Sequence, residues 1–323
     1  MIKQILDNAL RGNGITLDEA NIIMDSSPDD LGEIMQTAKA LTARNFGYKV
    51  EMCAIFAAKV GLCSGDCAYC AQSVHHNCNV TPIEVNMLNE DEIISNAREL
   101  SQLGVSRYSL VTSGERLTDA EFDRLLCIFR RLNSETSMDL CASLGSLTVE
   151  RAYKLKEAGV SRYHHNLETG RSYFPVICST HSYDDKILTI NIARQAGMEI
   201  CSGGIIAMGE TPEQRVEMAF ALKTLDVDCI PINILNPIKG TRFEYQPPLQ
   251  VNEILRIIAM FRLVLPNKPL RFAGGREKAL GKDEYLGYNA GMNAMIVGNY
   301  LTTSGKSIEE EIKNLKIMGY TIE

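Results

Sequence analysis

The feature that most constrains the fold is a repeated unit in which an amphipathic helix ends at a glycine and a short apolar strand follows. Gly104-Val-Ser-Arg-Tyr108 returns as Gly159-Val-Ser-Arg-Tyr163, and Gly197 occupies the same place in a looser third copy. Glycine suits the left-handed backbone conformation that follows a helix C-terminus. The copies lie roughly 35–55 residues apart, which is the spacing that strand–helix repeats give. The sequence therefore predicts a parallel α/β fold.

Apolar strands alternate with helical patterns along most of the chain. The predicted strands are residues 50–57, 107–112, 138–143, 162–167, 199–206, 229–235, 270–273 and 294–297. The main predicted helices are residues 91–103, 119–132, 148–158, 182–196, 212–225 and 251–263. This alternation predicts a (βα)8 TIM-type barrel. A doubly wound open sheet is the alternative, but its glycine-rich dinucleotide fingerprint is absent after the first strand.

The predicted organisation is a single domain over residues 1–323, in which helices over residues 1–48 extend a barrel over residues 49–323. The chain has 33 basic and 40 acidic residues and a formal charge of −7, which argues against nucleic acid as the main partner. A run of about 18 apolar residues, which a membrane span requires, is not found. The first residues do not resemble a signal peptide, so we expect a cytoplasmic protein.

The chain has ten cysteines. In the reducing compartment expected here disulfides are rare, so clustered cysteines more often bind metal or take part in chemistry. Cys63, Cys67 and Cys70 have the spacing C-x3-C-x2-C on one loop. Three thiolates can ligate three irons of a [4Fe–4S] cluster and leave the fourth iron open to a ligand. Zinc ribbons instead use two C-x2-C pairs, and a second pair is not found here. The loop follows the first predicted strand, hence the mouth of a barrel, where active sites lie.

This triplet, with Tyr69 before its last cysteine, resembles the signature of the radical S-adenosylmethionine superfamily. Nearly the whole chain after about residue 40 resembles the biotin synthase family in particular. The segments that carry this resemblance are residues 139–145, 162–169, 200–211, 231–241 and 270–277. The resemblance implies an enzyme, a sulfurtransferase that cleaves S-adenosylmethionine at the [4Fe–4S] cluster. It also implies that dethiobiotin is converted into biotin with sulfur from an auxiliary iron–sulfur cluster, without a catalytic residue beyond the clusters.

The resemblance also implies ligands for the auxiliary cluster, which in the family is a [2Fe–2S] centre held by three cysteines and an arginine. The matching residues are Cys141, Cys201 and Arg271, whereas Ser109 occupies the remaining cysteine position. A serine oxygen is a poorer ligand for iron than a thiolate. Our hypothesis is therefore an auxiliary cluster of a different type, with Cys78 or Cys178 as an additional ligand.

Other cysteines occur in apolar patterns and are expected to pack in the core. These are Cys53, Cys127 and Cys229. His75 and His76, like His164 and His165, are adjacent residues, and adjacent strand residues face opposite sides, so neither pair is expected to chelate a metal. Arg107 and Arg276 are expected to line the barrel and to balance the charge of the clusters.

The resemblance further implies the contacts of the substrate and the cofactor. Asn166 and Asn233 correspond to partners of the ureido ring of dethiobiotin, since an amide can both donate and accept. Residues expected to contact S-adenosylmethionine are Tyr69, Thr112, Glu168 and His181, the last of which stands where the family usually has arginine. The implied partners are a flavodoxin-type or ferredoxin-type electron donor and a second copy in a homodimer.

Two alternatives remain at this point. The first is another radical S-adenosylmethionine enzyme of the same subfamily, such as a methylornithine-type mutase or a hydrogenase maturase. The second is a non-catalytic iron–sulfur or zinc protein, which would not cleave S-adenosylmethionine.

Overall fold

A parallel β-sheet forms the centre of the molecule. The computed structural model describes residues 1–12, 14–299 and 305–323. The strands are β1 (Lys49–Lys59), β2 (Arg107–Thr112), β3 (Asp139–Ser143), β4 (Val160–His164), β5 (Glu199–Cys201), β6 (Gly204–Ile206), β7 (Ile230–Ile234), β8 (Leu270–Phe272), β9 (Ala294–Val297) and β10 (Thr321–Ile322). The order of the sheet is β5-β4-β3-β2-β1-β9-β8-β7-β6, and β10 pairs with the start of β1.

A single extended segment closes this sheet into a barrel. β5 and β6 are two parts of that segment, interrupted at Ser202 and Gly203. β5 pairs in parallel with β4, and β6 pairs in parallel with β7, so the segment joins the two ends of the sheet. A Cβ atom at Gly203 would lie 1.9 Å from the carbonyl oxygen of Pro231, so only glycine allows this approach. The predicted TIM-type α/β barrel is confirmed.

Helices surround the barrel. The helices are α1 (Ile2–Arg11), α2 (Leu17–Met24), α3 (Leu31–Phe46), α4 (Glu90–Gln102), α5 (Asp119–Glu135), α6 (Val149–Glu157), α7 (Phe174–Ile177), α8 (Tyr183–Gln195), α9 (Pro212–Thr224), α10 (Val251–Val264), α11 (Arg276–Leu280), α12 (Leu286–Asn289) and α13 (Ile308–Ile317). Short 3-10 turns occupy Pro28–Asp30, Val85–Met87 and Gly281–Asp283. None of the described helices is long and apolar enough to cross a membrane.

Local sequence signals explain where the repeated units begin and end. Thr118, Ser182 and Thr211 cap α5, α8 and α9, each as part of a capping box with a residue three positions later. Gly104, Gly159 and Gly197 have φ values of 87°, 96° and 80°, so the predicted left-handed glycines are confirmed. A capping box therefore begins three of these helices, and a left-handed glycine follows the end of three.

Alternate residues of each strand point into the barrel, as the two-residue period of a strand requires. On β1, Cys53 and Ile55 both line the central cavity, and Ser109 and Val111 do so on β2. The inward side chains of all strands therefore determine what the interior can bind.

Candidate active site

A cavity of about 590 Å³ occupies the barrel interior and extends to the loops that follow the strands. This volume lies within the roughly 300–1,000 Å³ that small-molecule sites span. Most residues that the sequence singled out line this cavity. They are Tyr69, Cys70, Ser109, Thr112, Cys141, Asn166, Glu168, Cys201, Asn233 and Arg271.

The cysteine triplet lies on the loop after β1, at the mouth of the barrel. The backbone N–H of Cys63 donates to the oxygen of Gln72 at 3.0 Å, which closes the loop on itself. The backbone N–H of Gly65 lies 3.4 Å from Cys63 Sγ, and N–H donation of this kind stabilises a thiolate. A Cβ atom at Gly65 would lie 3.5 Å from Cys63 Sγ and 4.0 Å from Cys67 Sγ, so two thiols converge on one side of this glycine. This donor set fits an iron–sulfur cluster.

Cys178 and His181 lie beside the triplet, because the loop after α7 packs on the cysteine loop. Cys178 Sγ is 3.9 Å from Cys67 Sγ and 3.3 Å from His181 Nδ1. The Cys67 thiol and the His181 imidazole lower the pKa of Cys178 to about 4, although burial acts in the opposite direction. The idea that Cys178 helps to hold the auxiliary cluster is therefore wrong, since its thiol is directed at the mouth triplet.

Four buried cysteines form a thiol cage at the base of the cavity. They are Cys53, Cys141, Cys201 and Cys229. The thiols interact in two pairs, which lowers the pKa of Cys53 beside Cys141 and that of Cys201 beside Cys229. We expected Cys53 and Cys229 only to pack in the core, but each lies next to another thiol.

The two-residue period of the strands indicates that Cys53 and Cys229 face the cavity, although most of their neighbours in the sequence are apolar. Cys229 is two residues from Pro231 and four from Asn233, and both of these line the cavity. Cys53 likewise is two residues from Ile55, which also lines the cavity. Residues an even number apart on a strand share a side, so all of them point inward.

A layer of arginines lies below the thiol cage, and Glu51 binds three of them. Glu51 accepts hydrogen bonds from Arg107 at 2.7 Å, from Arg162 at 3.1 Å and from Arg271. Burial alone would raise the pKa of Glu51, but the three guanidinium groups lower it to about 2. Among the described residues, Arg271 Nε and Arg107 Nη1 are buried without a hydrogen-bond acceptor.

This layer makes the base of the cavity a cationic environment. Arg271 Nη1 lies 3.6 Å from Cys201 Sγ, so a guanidinium group contacts the thiol cage directly. All three arginines share Glu51, and the more exposed Glu199 and Asp139 also contact Arg162 and Arg107. Arg271 shares Glu51 with two other cations, and because a buried charge is costly unless it is paired, Arg271 favours an anionic occupant beside the thiols. Four thiols and the orphaned guanidinium nitrogens together fit an anionic iron–sulfur cluster.

His164 contributes a neutral group to the same environment. Its Nδ1 atom lies 3.4 Å from Cys201 Sγ. Burial lowers the pKa of His164 to about 4, so the imidazole is uncharged at pH 7. The ring of His165 instead lies 6.5 Å from that of Tyr163, on the other side of the strand.

Two asparagines flank the segment that contains β5 and β6, since Asn166 follows β4 and Asn233 lies on β7, and each is bound to the backbone of that segment. Asn166 Oδ1 accepts from the N–H of Gly203 at 3.1 Å, and Asn166 Nδ2 donates to Glu168 Oε2 at 3.3 Å. Asn233 Oδ1 accepts from the N–H of Gly274 at 3.0 Å, and its Nδ2 donates to the oxygen of Gly204 at 3.2 Å. Each amide keeps a second N–H and a second lone pair for a ligand.

The upper wall of the cavity carries Glu168, Tyr69 and Thr112. Glu168 has a φ value of 74°, a strained conformation that costs on the order of 1–3 kcal/mol for a residue with a side chain and concentrates at functional sites. Burial and the neighbouring Glu168 raise the pKa of Tyr69, so its phenol stays protonated. Thr112 Oγ1 is buried without a hydrogen-bond partner among the described residues, which leaves a hydroxyl available to a bound molecule.

Several expectations are corrected by the structure. Cys78 contacts the carbonyl oxygen of Lys239 at 3.4 Å on the mouth loops, so it is not among the cage thiols. Cys127 is exposed on α5 rather than packed in the core. Arg276 binds Glu284 and Glu311, each at 2.8 Å, and so joins α11 to α13 instead of lining the barrel. Arg107 points into the barrel as expected.

Comparison with known proteins places the chain among related sequences. The profile described as Radical SAM superfamily matches residues 60–222, and that of the Biotin and Thiamin Synthesis associated domain matches residues 231–321. The biotin synthase of Carboxydothermus hydrogenoformans is 46% identical over 99% of this chain and 99% of its own length. The biotin synthase of Acetivibrio thermocellus is 48% identical over 98% of both chains.

Solved structures show the same fold at low sequence identity. Methylornithine synthase superposes with a TM-score of 0.84 at 18% identity, over 99% of this chain and 97% of its own. The [FeFe]-hydrogenase maturase HydG from Carboxydothermus hydrogenoformans gives a TM-score of 0.83 at 18% identity, over 100% of this chain and 79% of its own. These two likenesses concern the fold alone.

Proposed function

The chain belongs to the biotin synthase family of the radical S-adenosylmethionine superfamily, and from this premise we propose that it inserts sulfur into dethiobiotin to give biotin. The observation that carries the proposal is one cavity whose lining includes Cys70 of the mouth triplet and three thiols of the buried cage, those of Cys53, Cys141 and Cys201. Such a cavity lets one bound molecule contact a radical source above it and a sulfur source below it.

The residues proposed to hold the first cluster are Cys63, Cys67 and Cys70. When bound, the [4Fe–4S] cluster supplies the electron that cleaves S-adenosylmethionine, and an auxiliary cluster supplies the sulfur. Within this chain, the loop contacts of Cys63 and Gly65 fix the thiols before any cluster is present.

The residues proposed to hold the auxiliary cluster are the four thiols of the cage. Cys53 and Cys229 join Cys141 and Cys201, so the serine at position 109 is not needed as a ligand. Four thiolates are the usual ligand set for iron–sulfur clusters. Arg271 then stabilises the anionic cluster by charge and N–H donation. The hypothesis of an auxiliary site unlike the three-cysteine and arginine type therefore stands as a proposal, with ligands other than those we first considered.

Substrate recognition is assigned to the two asparagines. The free N–H and lone pair on Asn166 and Asn233 match the donors and acceptor of a cyclic urea. Because backbone groups hold both amides, little side-chain entropy is lost on binding. On the upper wall, Glu168, Tyr69 and Thr112 are proposed to contact S-adenosylmethionine, with His181 near its methionine end.

The low-identity structural relatives do not support a second function. A mutase or a hydrogenase maturase has no evident use for four thiols below the substrate cavity. A flavodoxin-type or ferredoxin-type electron donor and a homodimer complete the proposal and follow from the family resemblance.

The test is a product assay on protein purified and reconstituted without oxygen. S-Adenosylmethionine, a strong reductant and dethiobiotin are added, and 5′-deoxyadenosine and biotin are quantified by mass spectrometry. We expect both products from the unaltered chain, neither from Cys63→Ser, and 5′-deoxyadenosine without biotin from Cys201→Ser. Cys127→Ser, an exposed cysteine, is the matched control and should behave like the unaltered chain. Formation of 5′-deoxyadenosine without biotin by the unaltered chain would contradict the substrate.

A further inference from the structure

A second set of metal-binding side chains lies at the barrel mouth, and the proposed reaction does not use it as a set. Cys67, Cys178 and His181 each offer one ligand atom, and these atoms all lie within 4.8 Å of one another. Asp66 is next to them, with its Oδ1 atom 3.2 Å from Cys178 Sγ. Cys178 is buried, and Cys67 and His181 are partly buried, so the set is shielded but reachable.

The distances match the edges of a small tetrahedral metal site. With metal–sulfur bonds of about 2.3 Å and metal–nitrogen bonds of about 2.0–2.1 Å, an ideal tetrahedron has a sulfur–sulfur edge of roughly 3.8 Å and a sulfur–nitrogen edge of roughly 3.6 Å. The observed distances are 3.9 Å from Cys67 Sγ to Cys178 Sγ and 3.3 Å from Cys178 Sγ to His181 Nδ1. The third edge, from Cys67 Sγ to the His181 ring, is within 4.8 Å, so a single ion can contact the three groups once this edge closes toward the tetrahedral value.

The two loops that carry these ligands are tied together by their own hydrogen bonds. Asp66 Oδ1 accepts from the backbone N–H groups of Ser179 at 2.9 Å and Thr180 at 3.2 Å. The backbone N–H of Ala68 donates to the oxygen of Ile177 at 2.8 Å. These contacts hold Cys178 against Cys67 in the chain alone, so the site is preorganised. Asp66 also adds a negative charge next to a bound cation.

We propose that Cys67, Cys178 and His181 form a mononuclear site for one divalent transition-metal ion in the cluster-free chain. Two thiolates and an imidazole select ions of the iron, cobalt and zinc type over magnesium or calcium. Cys67 is shared with the proposed [4Fe–4S] cluster, so the single ion and that cluster cannot occupy the chain together. Occupation of this site is thus a state that precedes cluster assembly or competes with it.

The test uses Co²⁺ and the full-length chain stripped of iron and sulfide. Tetrahedral cobalt gives visible ligand-field bands, and bound thiolates add a thiolate-to-cobalt charge-transfer band. The chain carries Cys141→Ser and Cys201→Ser, which remove one thiol from each pair of the cage, and we then expect saturation at one Co²⁺ per chain. Addition of iron and sulfide should release this cobalt, as counted by elemental analysis after desalting. Cys178→Ser should weaken binding by about tenfold or more, since even groups behind a metal ligand are worth about 10–100-fold in affinity. His181→Gln should weaken it similarly.

Matched variants separate this site from the neighbouring triplet. Cys63→Ser and Cys127→Ser, neither of which alters the three proposed ligands, should leave cobalt binding unchanged. Strong loss in Cys63→Ser, with none in Cys178→Ser and His181→Gln, would place the ion in the triplet and overturn the proposal. Circular dichroism of each variant checks that it is folded. Because the assay needs neither S-adenosylmethionine nor dethiobiotin, its failure is distinct from failure of the proposed biotin synthesis.

Discussion

Glu51 sets the charge at the base of the cavity. Its carboxylate binds Arg107, Arg162 and Arg271, and the side chain is only 17% exposed. Arg107 and Arg162 also contact the more exposed Asp139 and Glu199, whereas Arg271 contacts the cage thiol of Cys201. At the scale of single residues, Glu51 therefore orders the guanidinium groups that we propose lie beside an anionic cluster.

Replacement of Glu51 by glutamine should therefore destabilise the chain. Removing one member of a buried ion pair typically costs about 3–5 kcal/mol. Asp139→Asn is the matched control, because this carboxylate is 59% exposed and 3.5 Å from Arg107, and its loss should cost less than about 1 kcal/mol. Urea unfolding of the cluster-free protein at pH 7 measures both. Equal stability of the two variants would show that Glu51 is not needed in the arginine layer.

The interaction of Glu51 with the three arginines also predicts how the free energy of unfolding changes with pH. The folded pKa of Glu51 is about 2, below its ordinary value of 4.5, so its contribution is complete above pH 4.5. The contribution is lost as the pH falls through the folded pKa. The difference in unfolding free energy between the unaltered chain and Glu51→Gln should thus shrink as the pH is lowered from 4.5 toward 2. A constant difference over this range would contradict the assigned pKa.

The role of some single residues could be predicted from the sequence, and that of others could not. The triplet and the cavity residues Asn166 and Asn233 were found because motif and strand position agreed. Cys53 and Cys229 were missed because their neighbours are apolar, and an apolar pattern does not distinguish a core from a lined cavity. Cys178 was assigned to the wrong site because the contact between its loop and the triplet joins residues more than a hundred positions apart.

Among the elements, the segment containing β5 and β6 determines whether the sheet is open or closed. The sequence predicted one strand over residues 199–206, and the structure divides it at Ser202 and Gly203. Strands over residues 107–112 and 294–297 have the predicted bounds. The division could not be predicted, because it arises from the approach of Pro231 on a neighbouring strand. β10 was also missed, since a two-residue strand has no periodicity.

Gly203→Ala tests this closure. The new Cβ atom would lie 1.9 Å from the carbonyl oxygen of Pro231, so the backbone must shift. We expect a loss of about 1–3 kcal/mol or more, the usual cost of overpacking a core. Gly32→Ala on α3 is the control, because a Cβ atom there meets nothing within 4 Å. Thermal unfolding that leaves Gly203→Ala as stable as Gly32→Ala would contradict a tight closure at this point.

At the scale of the whole molecule, the barrel holds two separate groups of cysteines, the triplet at its mouth and the thiol cage in its interior. The triplet lies on the loop after β1, whereas the cage thiols come from β1, β3, β5 and the residue before β7. Barrel closure brings these distant segments to one cavity, and the alternation of strand side chains directs them inward. The sequence predicted the barrel, the upper site and Cys141, Cys201 and Arg271 of the lower site, whereas the contribution of Cys53 and Cys229 depends on how the strands meet.

The most direct test of this account asks which residues hold the auxiliary cluster. A variant carrying Cys63→Ser, Cys67→Ser and Cys70→Ser lacks the mouth triplet, and its remaining iron and sulfide can be counted after reconstitution without oxygen, with Mössbauer spectra as a second measure. We expect iron to remain in this variant. Addition of Cys53→Ser or Cys229→Ser should remove it, and addition of Ser109→Ala should not. Iron that survives loss of Cys53 and Cys229 but disappears with Ser109 would contradict the four-thiol cage.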